Sequence, residues 1–406
     1  MKIDDKTSHN SPSLRFPEFT GEWKEERLSE IADIYKGAGI SKDQLSDNGE
    51  PCILYGELYT KYKTETITEV ISRTDIDNTK LVRSKANDVI IPCSGETAED
   101  IATARCVIKD GILLGGDLNI IRLHNYDGSF VSYQLNGKRK YDIAKVAQGV
   151  SVVHLYGEHL KGVKTVNPCL AEQKKISRFL SLLDERIAVQ NRLIDRLQSL
   201  MIGLNNSLYE QYGNDITTSF MELGYSYSGL SGKSAKDFGS GKPFITYLNV
   251  YSNIIVDETD YQYVRINDGE KQNIVRTGDV LFTLSSETPE EVGIGSVYLG
   301  EKEVYLNSFC FGIHIERNQL AYSPYLSYYV TSTAFRKFIY PFAQGSTRFN
   351  LCKADFEKAS IKLPSLDNQK RISAMLDCIA EKIQAEKAIL EYYNIQRQYL
   401  LRQMFI

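Results

Sequence analysis

The loop G-L-S-G-K-S that begins at Gly229 has the residue types of a phosphate-binding loop. In such loops Gly, Lys and Ser hold nucleotide phosphates with the spacing G-x-x-x-x-G-K-S, which would place the first glycine where Tyr227 stands. The same composition suits a loop along a nucleic-acid backbone, where small residues let main-chain N–H groups approach phosphate oxygens. A nucleotide-dependent enzyme that uses Lys233 is therefore the least favoured functional class.

The rest of the sequence contains no recognisable catalytic or metal-binding set. No G-x-G-x-x-G follows a predicted strand, no H-E-x-x-H occurs, and the five His and seven Cys residues have no ligand spacing. His154 and His159 are interpreted as ordinary surface or packing residues. The sequence N-P-C-L at Asn167 lacks the second proline of the N-P-P-Y type that holds a flipped adenine in adenine methyltransferases. We therefore predict a non-catalytic binding protein without a metal site.

The clearest predicted element is a long helix from Glu172 to Leu208. Its seam residues alternate at intervals of four and three, which is the a/d pattern of a coiled coil, and no proline interrupts them. They are Ile176, Leu180, Leu183, Ile187, Gln190, Ile194, Leu197, Met201, Leu204 and Leu208. A helix of about 36 residues would be roughly 54 Å long, which is too long for an ordinary globular core.

This helix has a second copy near the end of the chain. From Pro168, P-C-L-A-E-Q-K-K-I-S-R-F-L aligns without a gap with P-S-L-D-N-Q-K-R-I-S-A-M-L from Pro364. The seam recurs at Ile372, Leu376, Ile379, Ile383, Leu390, Tyr393, Leu400 and Met404. Two unrelated amphipathic helices would share the period but not these identities. The sequence therefore predicts a tandem duplication with a long helix closing each half.

Three further landmarks recur in the same order in both halves. G-E-P-C-I-L-Y matches G-K-P-F-I-T-Y, N-D-V-I-I-P-C-S-G-E-T matches G-D-V-L-F-T-L-S-S-E-T, and A-Q-G-V-S matches A-Q-G-S-T. Each half is thus predicted to be a mixed α/β domain of about 150 residues followed by a helix. The predicted divisions are a disordered tail (1–14), a first domain (15–163), a first long helix (164–209), a second domain (210–358) and a second long helix (359–406), with a short helix at 25–34.

Polar and aromatic residues near these landmarks are the candidate contact residues. The Lys and Tyr residues around the G-x-P strands fit either a plain surface or a DNA contact. Gln, Ser and Arg in the A-Q-G loops can hydrogen-bond base edges or phosphates, although a bare turn uses similar residues. The candidates are Lys36, Lys42, Tyr55, Tyr59, Lys61, Lys63, Ser94, Thr97, Gln148 and Ser151 in the first half, and Lys233, Lys236, Tyr247, Asn249, Tyr251, Ser285, Thr288, Gln344, Ser346 and Arg348 in the second. Arg348 is predicted to contact DNA where its counterpart Val152 cannot make the same polar contact.

Composition limits the remaining functional classes. A chain of 406 residues requires at least two globular domains, in agreement with the repeat. The net charge of −4 argues against a protein that coats nucleic acid non-specifically, so any DNA contact must come from local patches. No run approaches the ~18 apolar residues of a membrane span. The polar start M-K-I-D-D-K-T-S-H-N and the scattered cysteines predict a cytoplasmic location.

Taken together, the duplicated motifs resemble those of the specificity subunit of a type I restriction-modification system. The residues that carry the resemblance are R-F-P-E-F-T-G-E-W, N-D-V-I-I or G-D-V-L-F, the two A-Q-G loops, and the helices entered by P-x-L-x-x-Q-K-x-I. The resemblance implies two target-recognition domains, separated by two long antiparallel coiled-coil helices in a pseudo-twofold arrangement. Each domain would read one half of a bipartite, asymmetric site on double-stranded DNA.

The resemblance also implies partners and cofactors. Two modification subunits would supply the adenine methyltransferase with S-adenosylmethionine, and restriction (endonuclease and translocase) subunits would use ATP and Mg²⁺. This chain itself would bind no cofactor and would dock these partners. The acidic charge is compatible with that function because the partners can contribute much of the clamp around DNA. The alternative function is a coiled-coil scaffold with two protein-binding domains.

Overall fold

The computed structural model describes residues 11–77, 79–149 and 152–406. They form two compact units: unit 1 combines the chain up to Arg192 with Ala388–Ile406, and unit 2 is Leu193–Lys387. Both units mix helices and strands, which confirms the predicted fold class. No helix within these described ranges has the length and apolar character needed to cross a bilayer.

Unit 1 contains the first copy of the repeat. Its elements are β1 (Lys24–Arg27), α1 (Leu28–Ile31), β2 (Ala32–Lys36), β3 (Glu50–Ile53), α2 (Glu57–Thr60), β4 (Thr66–Ile67), β5 (Ser72–Thr74), β6 (Val82–Arg83), β7 (Asp88–Pro92), β8 (Ser94–Gly95), α3 (Ala98–Ile101), β9 (Arg105–Val107), β10 (Leu113–Leu114), β11 (Leu118–Leu123), α4 (Gly128–Asn136), α5 (Lys140–Val146), β12 (Val153–His154), α6 (Gly157–Leu160), β13 (Lys164–Asn167) and the start of α7 (Leu170–Tyr212), with a 3₁₀ turn at Lys42–Gln44. The main sheet has the order β2-β11-β7-β9-β4, and a second sheet has the order β5-β3-β10-β6.

Unit 2 repeats most of this order of elements, with one strand where unit 1 has β4, β5 and β6. Its elements are β14 (Ile216–Thr218), α8 (Phe220–Leu223), β15 (Gly224–Ser228), β16 (Phe238–Ile245), α9 (Tyr247–Ser252), β17 (Tyr261–Val264), β18 (Val280–Thr283), β19 (Ser285–Ser286), β20 (Gly295–Val297), β21 (Tyr305–Leu306), β22 (Cys310–Ile315), α10 (Ser323–Tyr329), α11 (Thr333–Ile339), β23 (Ala343–Gln344), β24 (Phe349–Leu351), α12 (Lys353–Lys358), β25 (Ile361–Leu363) and most of α13 (Leu366–Gln403), with 3₁₀ turns at Ala235–Asp237, Pro289–Glu291 and Tyr340–Phe342. Its main sheet, β15-β22-β18-β20, matches β2-β11-β7-β9 of unit 1, and β16 pairs in parallel with β21 as β3 does with β10.

The strand of the N-D-V-I-I landmark is buried on both faces, which explains its uninterrupted apolar run. Val89 and Ile91 of β7 belong to the large core cluster of unit 1, whereas Ile90 belongs to a second cluster on the other face of the sheet. In β18, Phe282 and Leu281 are divided between two clusters in the same way. Since successive side chains of a strand point to opposite faces, each main sheet lies between two apolar layers.

The first glycine of the G-L-S-G-K-S motif, Gly229, follows β15 directly, and Gly37 has the same position after β2. Gly37 donates its N–H to Leu118 at 2.9 Å, and Gly229 donates to Cys310 at 3.1 Å. A Cβ atom added at Gly229 would lie 2.0 Å from the carbonyl oxygen of Asn307, and Gly37 is equally crowded. The glycine at position 229 is therefore required by close backbone packing, and this contact by itself involves no phosphate.

The glutamine of P-x-L-x-x-Q-K-x-I satisfies buried backbone groups where each long helix begins. Gln369 accepts from the N–H of Tyr322 at 2.8 Å and donates to Leu320 and Pro364 at 2.8 and 2.9 Å. Gln173 makes the equivalent bonds with the N–H of Asp127 and the carbonyl oxygen of Pro168. Each amide therefore joins its long helix to the domain that precedes it, which explains why this residue recurs in register.

Substituting Gln369 with Leu should destabilise unit 2. The change leaves up to three buried backbone groups without a partner, which we expect to cost about 3 kcal/mol in total. The urea concentration at the unfolding midpoint, followed by circular dichroism, measures the loss. Gln398→Leu on an exposed position of α13 is the matched control and should shift the midpoint little. Equal shifts for the two variants would contradict the assigned function of the Gln369 amide.

The termini of the long helices differ from the prediction. The region predicted as the start of the first helix, 164–167, is strand β13, which pairs antiparallel with β1, and α7 then extends to Tyr212. Strand β25 likewise pairs with β14 before α13 begins. The short helix predicted at 25–34 is replaced by β1, α1 and β2. These strands depend on partners far away in the sequence, so local composition did not reveal them.

The opening R-F-P-E-F-T-G-E-W packs onto the start of α7. Arg15 forms an ion pair with the buried carboxylate of Glu172 at 2.7 Å, and the indole N–H of Trp23 donates to the same group at 3.3 Å. Within the predicted tail, residues 1–10 lie outside the described residues, while the N–H of Leu14 donates to Gln403 at 2.9 Å. Ordered chain therefore begins before Arg15.

Each unit contains the beginning of one long helix and the end of the other. In unit 1, Ile176 and Leu180 of α7 share a core cluster with Leu400 and Met404 of α13. In unit 2 the cluster that contains Ile372 and Leu376 also includes residues from the end of α7, namely Met201, Leu204 and Leu208. The predicted seam residues thus pack between helices in both units.

Candidate nucleic-acid interface

Three segments far apart in the sequence of unit 1 form one surface. Residues of the turn into α2, strand β8 and the A-Q-G hairpin line a cleft of about 550 Å³: Tyr55, Gly56, Tyr59, Thr60, Ser94, Gly95, Glu96, Asp100 and Val152. The Tyr59 hydroxyl donates to the carbonyl oxygen of Ser94 at 3.1 Å. Ser94 is the strand partner of His154, which pairs in turn with Gln148. The duplicated landmarks are therefore neighbours in space.

The same three segments meet in unit 2. The Tyr247 hydroxyl donates to the carbonyl oxygen of Ser285 at 2.8 Å, and the ring stacks on Tyr251 at 6.0 Å. Ser285 pairs with Asn350, and Asn350 pairs with Gln344 across the sheet β19-β24-β23. We call these segments the loop surface of each unit: residues 55–60, 94–97, 147–149 and 152–154 in unit 1, and 247–251, 285–288 and 343–350 in unit 2.

One anchoring bond comes from different tyrosines in the two units. Tyr247 is the counterpart of Tyr55 in the repeat, yet in unit 1 it is Tyr59 that bonds the β8 serine. The reason is that α9 begins at Tyr247, whereas α2 begins only at Glu57. Tyr55 is left exposed as a result. The loop surfaces therefore share a backbone frame but present different side chains.

A buried carboxylate fixes the strand behind each loop surface. Asp88 at the start of β7 accepts from Arg122 at 2.7 Å, and the guanidinium lies over the ring of Tyr35. At the corresponding place, Asp279 accepts from Tyr227 at 2.7 Å and lies 2.7 Å from His314 Nδ1. Burial raises the pKa of Asp279. These contacts join three adjacent strands of each main sheet.

The family model of the type I restriction modification DNA specificity domain matches residues 20–199 and again 230–392. The chain belongs to this family. It is 21% identical to the MjaVIII specificity subunit of Methanocaldococcus jannaschii over 94% of this chain and 93% of that protein. A segment that covers 37% of this chain and 32% of the relative is 26% identical to the EcoKI specificity subunit of Escherichia coli.

Solved specificity-subunit structures share the fold. The crystal structure of the S subunit from M. genitalium superposes with a TM-score of 0.59 at 16% sequence identity, covering 98% of this chain and 99% of that one. A second structure, from work on assembly and conformational transition of the type I system, gives a TM-score of 0.57 at 18% identity over 94% and 97% of the chains. The duplicated fold of this specificity-family chain is therefore shown over nearly its whole length.

Two of the predicted contact residues of this specificity-family chain point into the protein. Lys233 donates to the carbonyl oxygen of Arg265 at 2.6 Å and to Glu270 at 2.7 Å, and it holds the pKa of that carboxyl at about 2. Asn249 is 1% exposed and bonds the carbonyl oxygens of Asp257 and Asp260 at 2.9 Å. Both side chains are already used in internal contacts, so their prediction as DNA contacts is corrected.

Several other predicted residues have local partners. Lys61 pairs with Glu57 and Ser72 at 2.7 Å, Lys63 donates to Tyr59 at 2.6 Å, and Thr97 caps α3 through the N–H of Asp100 at 3.0 Å. Ser285 is buried, and Tyr251 donates to Glu291, which raises the pKa of the phenol. Lys61, Lys63 and Thr97 are nevertheless exposed, as are Lys36, Lys42, Tyr55, Gln148, Lys236, Thr288, Gln344, Ser346 and Arg348, while Ser151 lies outside the described residues.

Sequence reasoning missed two residues of the loop surfaces, His154 and Asn350, and one residue beside them, Phe309. Asn350 and His154 are exposed and lie directly beside Gln344 and Gln148, respectively, and Phe309 is an exposed ring 5.9 Å from the Arg348 guanidinium. His154 was interpreted as an ordinary surface residue. The alternation of Asn350 with the apolar residues on either side of it was a usable signal, because it predicts a strand with one polar face.

Proposed function

We propose that this chain is the DNA-reading subunit of a type I restriction-modification complex and that each unit reads one half of a bipartite, asymmetric site. The observation that carries the proposal is a shared frame with different exposed side chains. Val152, His154 and Asp117 in unit 1 have Arg348, Asn350 and Phe309 as counterparts in unit 2. Two domains that read different base pairs need a common backbone with different side chains. Base pairs differ in their donors, acceptors and apolar groups, and the side chains that recognise them must differ accordingly.

The proposal assigns the chemistry to partner subunits. Two modification subunits would bind this chain and transfer the methyl group of S-adenosylmethionine to adenine, and restriction subunits would use ATP and Mg²⁺ for translocation and cleavage. A cytoplasmic location is part of the proposal, since host DNA and these partners would be found there. The exposed cations Lys36, Lys42 and Lys236 would contact phosphates, which position a protein on DNA without specifying sequence.

Co-expression tests the proposal directly. The chain and the methyltransferase subunit from the same genome are expressed in a host without adenine methylation, and the host DNA is sequenced for modified bases. We expect methyladenine in one split motif when both proteins are present and none with the methyltransferase alone. A complex that assembles but neither retains DNA in a pull-down nor methylates a motif would favour the scaffold function instead.

A further inference from the structure

The outer face of the β23–β24 hairpin presents two amide groups side by side. Gln344 and Asn350 are direct partners across antiparallel strands, so their Cβ atoms lie about 5 Å apart on the same face. The alternating residues Ala343, Phe349 and Leu351 pack on the core of unit 2 instead. Both amides are exposed. Within the part of the chain that the structure describes, neither side chain takes part in a hydrogen bond.

Arg348 extends this polar face at the end of the hairpin turn. Its guanidinium lies 5.9 Å above the ring of Phe309, which is itself 57% exposed, so the cation is held at the surface. The turn depends on Gly345, whose φ of +142° places a hypothetical Cβ 2.1 Å from the carbonyl oxygen of Arg348. A side chain at position 345 would clash with the backbone of Arg348. Glycine at this position therefore allows the two strands to remain close together up to the turn.

We propose that this face of unit 2 reads bases, with the amide of Asn350, beside Gln344, on an adenine and the guanidinium of Arg348 on a neighbouring guanine. The inference rests on the proposed function. An amide offers one donor and one acceptor, which match N7 and the N6 amino group of adenine, whereas guanidinium offers two donors to N7 and O6 of guanine. A two-stranded ribbon fits into the major groove, where these atoms are exposed.

The equivalent face of unit 1 differs at the two positions that matter most. Gln148 pairs with His154, whose ring stacks on Tyr156 at 6.3 Å, and the counterpart of Arg348 is Val152, which is 53% exposed. Valine cannot accept or donate a hydrogen bond, but its methyl groups can pack against the methyl group of thymine. Unit 1 therefore should not select guanine at the position that corresponds to the Arg348 contact.

Substitutions in unit 2 test the assignment. Arg348→Val and Asn350→His give this face the side chains of unit 1. In the co-expression assay we expect Arg348→Val to relax the requirement for guanine at one position and Asn350→His to relax the requirement for adenine at a nearby position. The other half of the motif should not change. The affinity of the complex that contains Arg348→Val for the cognate duplex should fall by roughly 10- to 100-fold. The fall should be smaller for a duplex in which the guanine read by Arg348 is replaced.

Two further variants separate base reading from charge. Arg348→Lys keeps the positive charge but loses the two-pronged geometry, so it should lose discrimination at the guanine while retaining non-specific binding. Lys337→Ala removes an exposed cation of the same unit outside the hairpin and should leave the motif intact. Failure of the wild-type complex to methylate any motif would reject the proposed function itself. A wild-type motif that persists in all hairpin variants, or a loss of affinity equal on every duplex, would reject the base-reading assignment alone.

Discussion

Replacing residues 15–167 with the first domain of another family member should change one half of the methylated motif and leave the other half intact. The β1–β13 ladder, from Lys24↔Asn167 to Arg27↔Lys164, closes the first domain just before Pro168. The boundary suggested by sequence, at 163, would leave β13 with the helix and remove its partner strand. The exchange should therefore end after Asn167.

The donor domain must retain the contacts that it makes with the remaining helices. Arg15 pairs with Glu172, and Phe130 packs against Phe405 with ring centroids 5.2 Å apart. The donor should carry Arg and an aromatic residue at these positions, and Glu and Tyr at positions 65 and 133, which bond Arg397 and Asp184 of the long helices. A change in motif then reports on DNA reading. The matched control exchanges 216–363, bounded by the β14–β25 ladder, and should change the opposite half. Alteration of both halves by one exchange would contradict independent reading by the two units.

The architecture was predictable from sequence because it depends on one local pattern, the period of the long helices, and on motifs that occur twice in the same order. The a/d period of the long helices needs no knowledge of tertiary partners, and the landmarks identify each other by recurring in order. Strands β13 and β25 were assigned to helices because their partners are remote: Lys24 pairs with Asn167, far along the chain. Pairing of this kind overrides local propensity, and only the folded chain shows it.

The candidate surface was predicted at the level of loops and only partly at the level of residues. Residue type suggested Lys233 as a contact, but it cannot show that Glu270 and the carbonyl oxygen of Arg265 surround the ammonium group. Asn350 was missed because its residue type alone does not show which residue lies beside it. Its place beside Gln344 depends on strand register, which the sequence of a three-residue strand does not define.

Arg397 is the centre of a buried ionic cluster in unit 1. Its Nε donates to Asp184 and one Nη donates to Glu65, both at 2.6 Å. Both carboxylates are largely buried, and Asp184 also accepts from the Tyr133 hydroxyl at 2.5 Å. The cluster joins the end of α13 to α7 and to the segment before β4. Both carboxylates bond this one guanidinium, and the charge of the buried Arg105 also acts on them.

Arg397→Met should be among the most destabilising single substitutions in unit 1. Methionine keeps much of the side-chain length but leaves two buried carboxylates without their common cation, which we expect to cost about 3 to 5 kcal/mol. Denaturant unfolding followed by circular dichroism measures the loss. Arg402→Met, at an exposed position further along the same helix, is the control and should shift the midpoint by much less.

The loss caused by Arg397→Met should depend on pH with a defined sign. Burial raises the pKa of Asp184, and the charge of Arg397 opposes that effect, so removing the arginine raises this pKa further. A carboxyl whose pKa is higher in the folded than in the unfolded state favours folding when it is protonated, and this contribution disappears as the pH rises through the folded-state value. The variant should therefore be closest to the wild type at acidic pH and furthest from it at alkaline pH. Adding Asp184→Asn to the variant should remove part of both the loss and its pH dependence, because one uncompensated charge is then absent. A deficit that grows on acidification, or that equals the deficit of Arg402→Met, would show that the Arg397 charge does not stabilise this cluster.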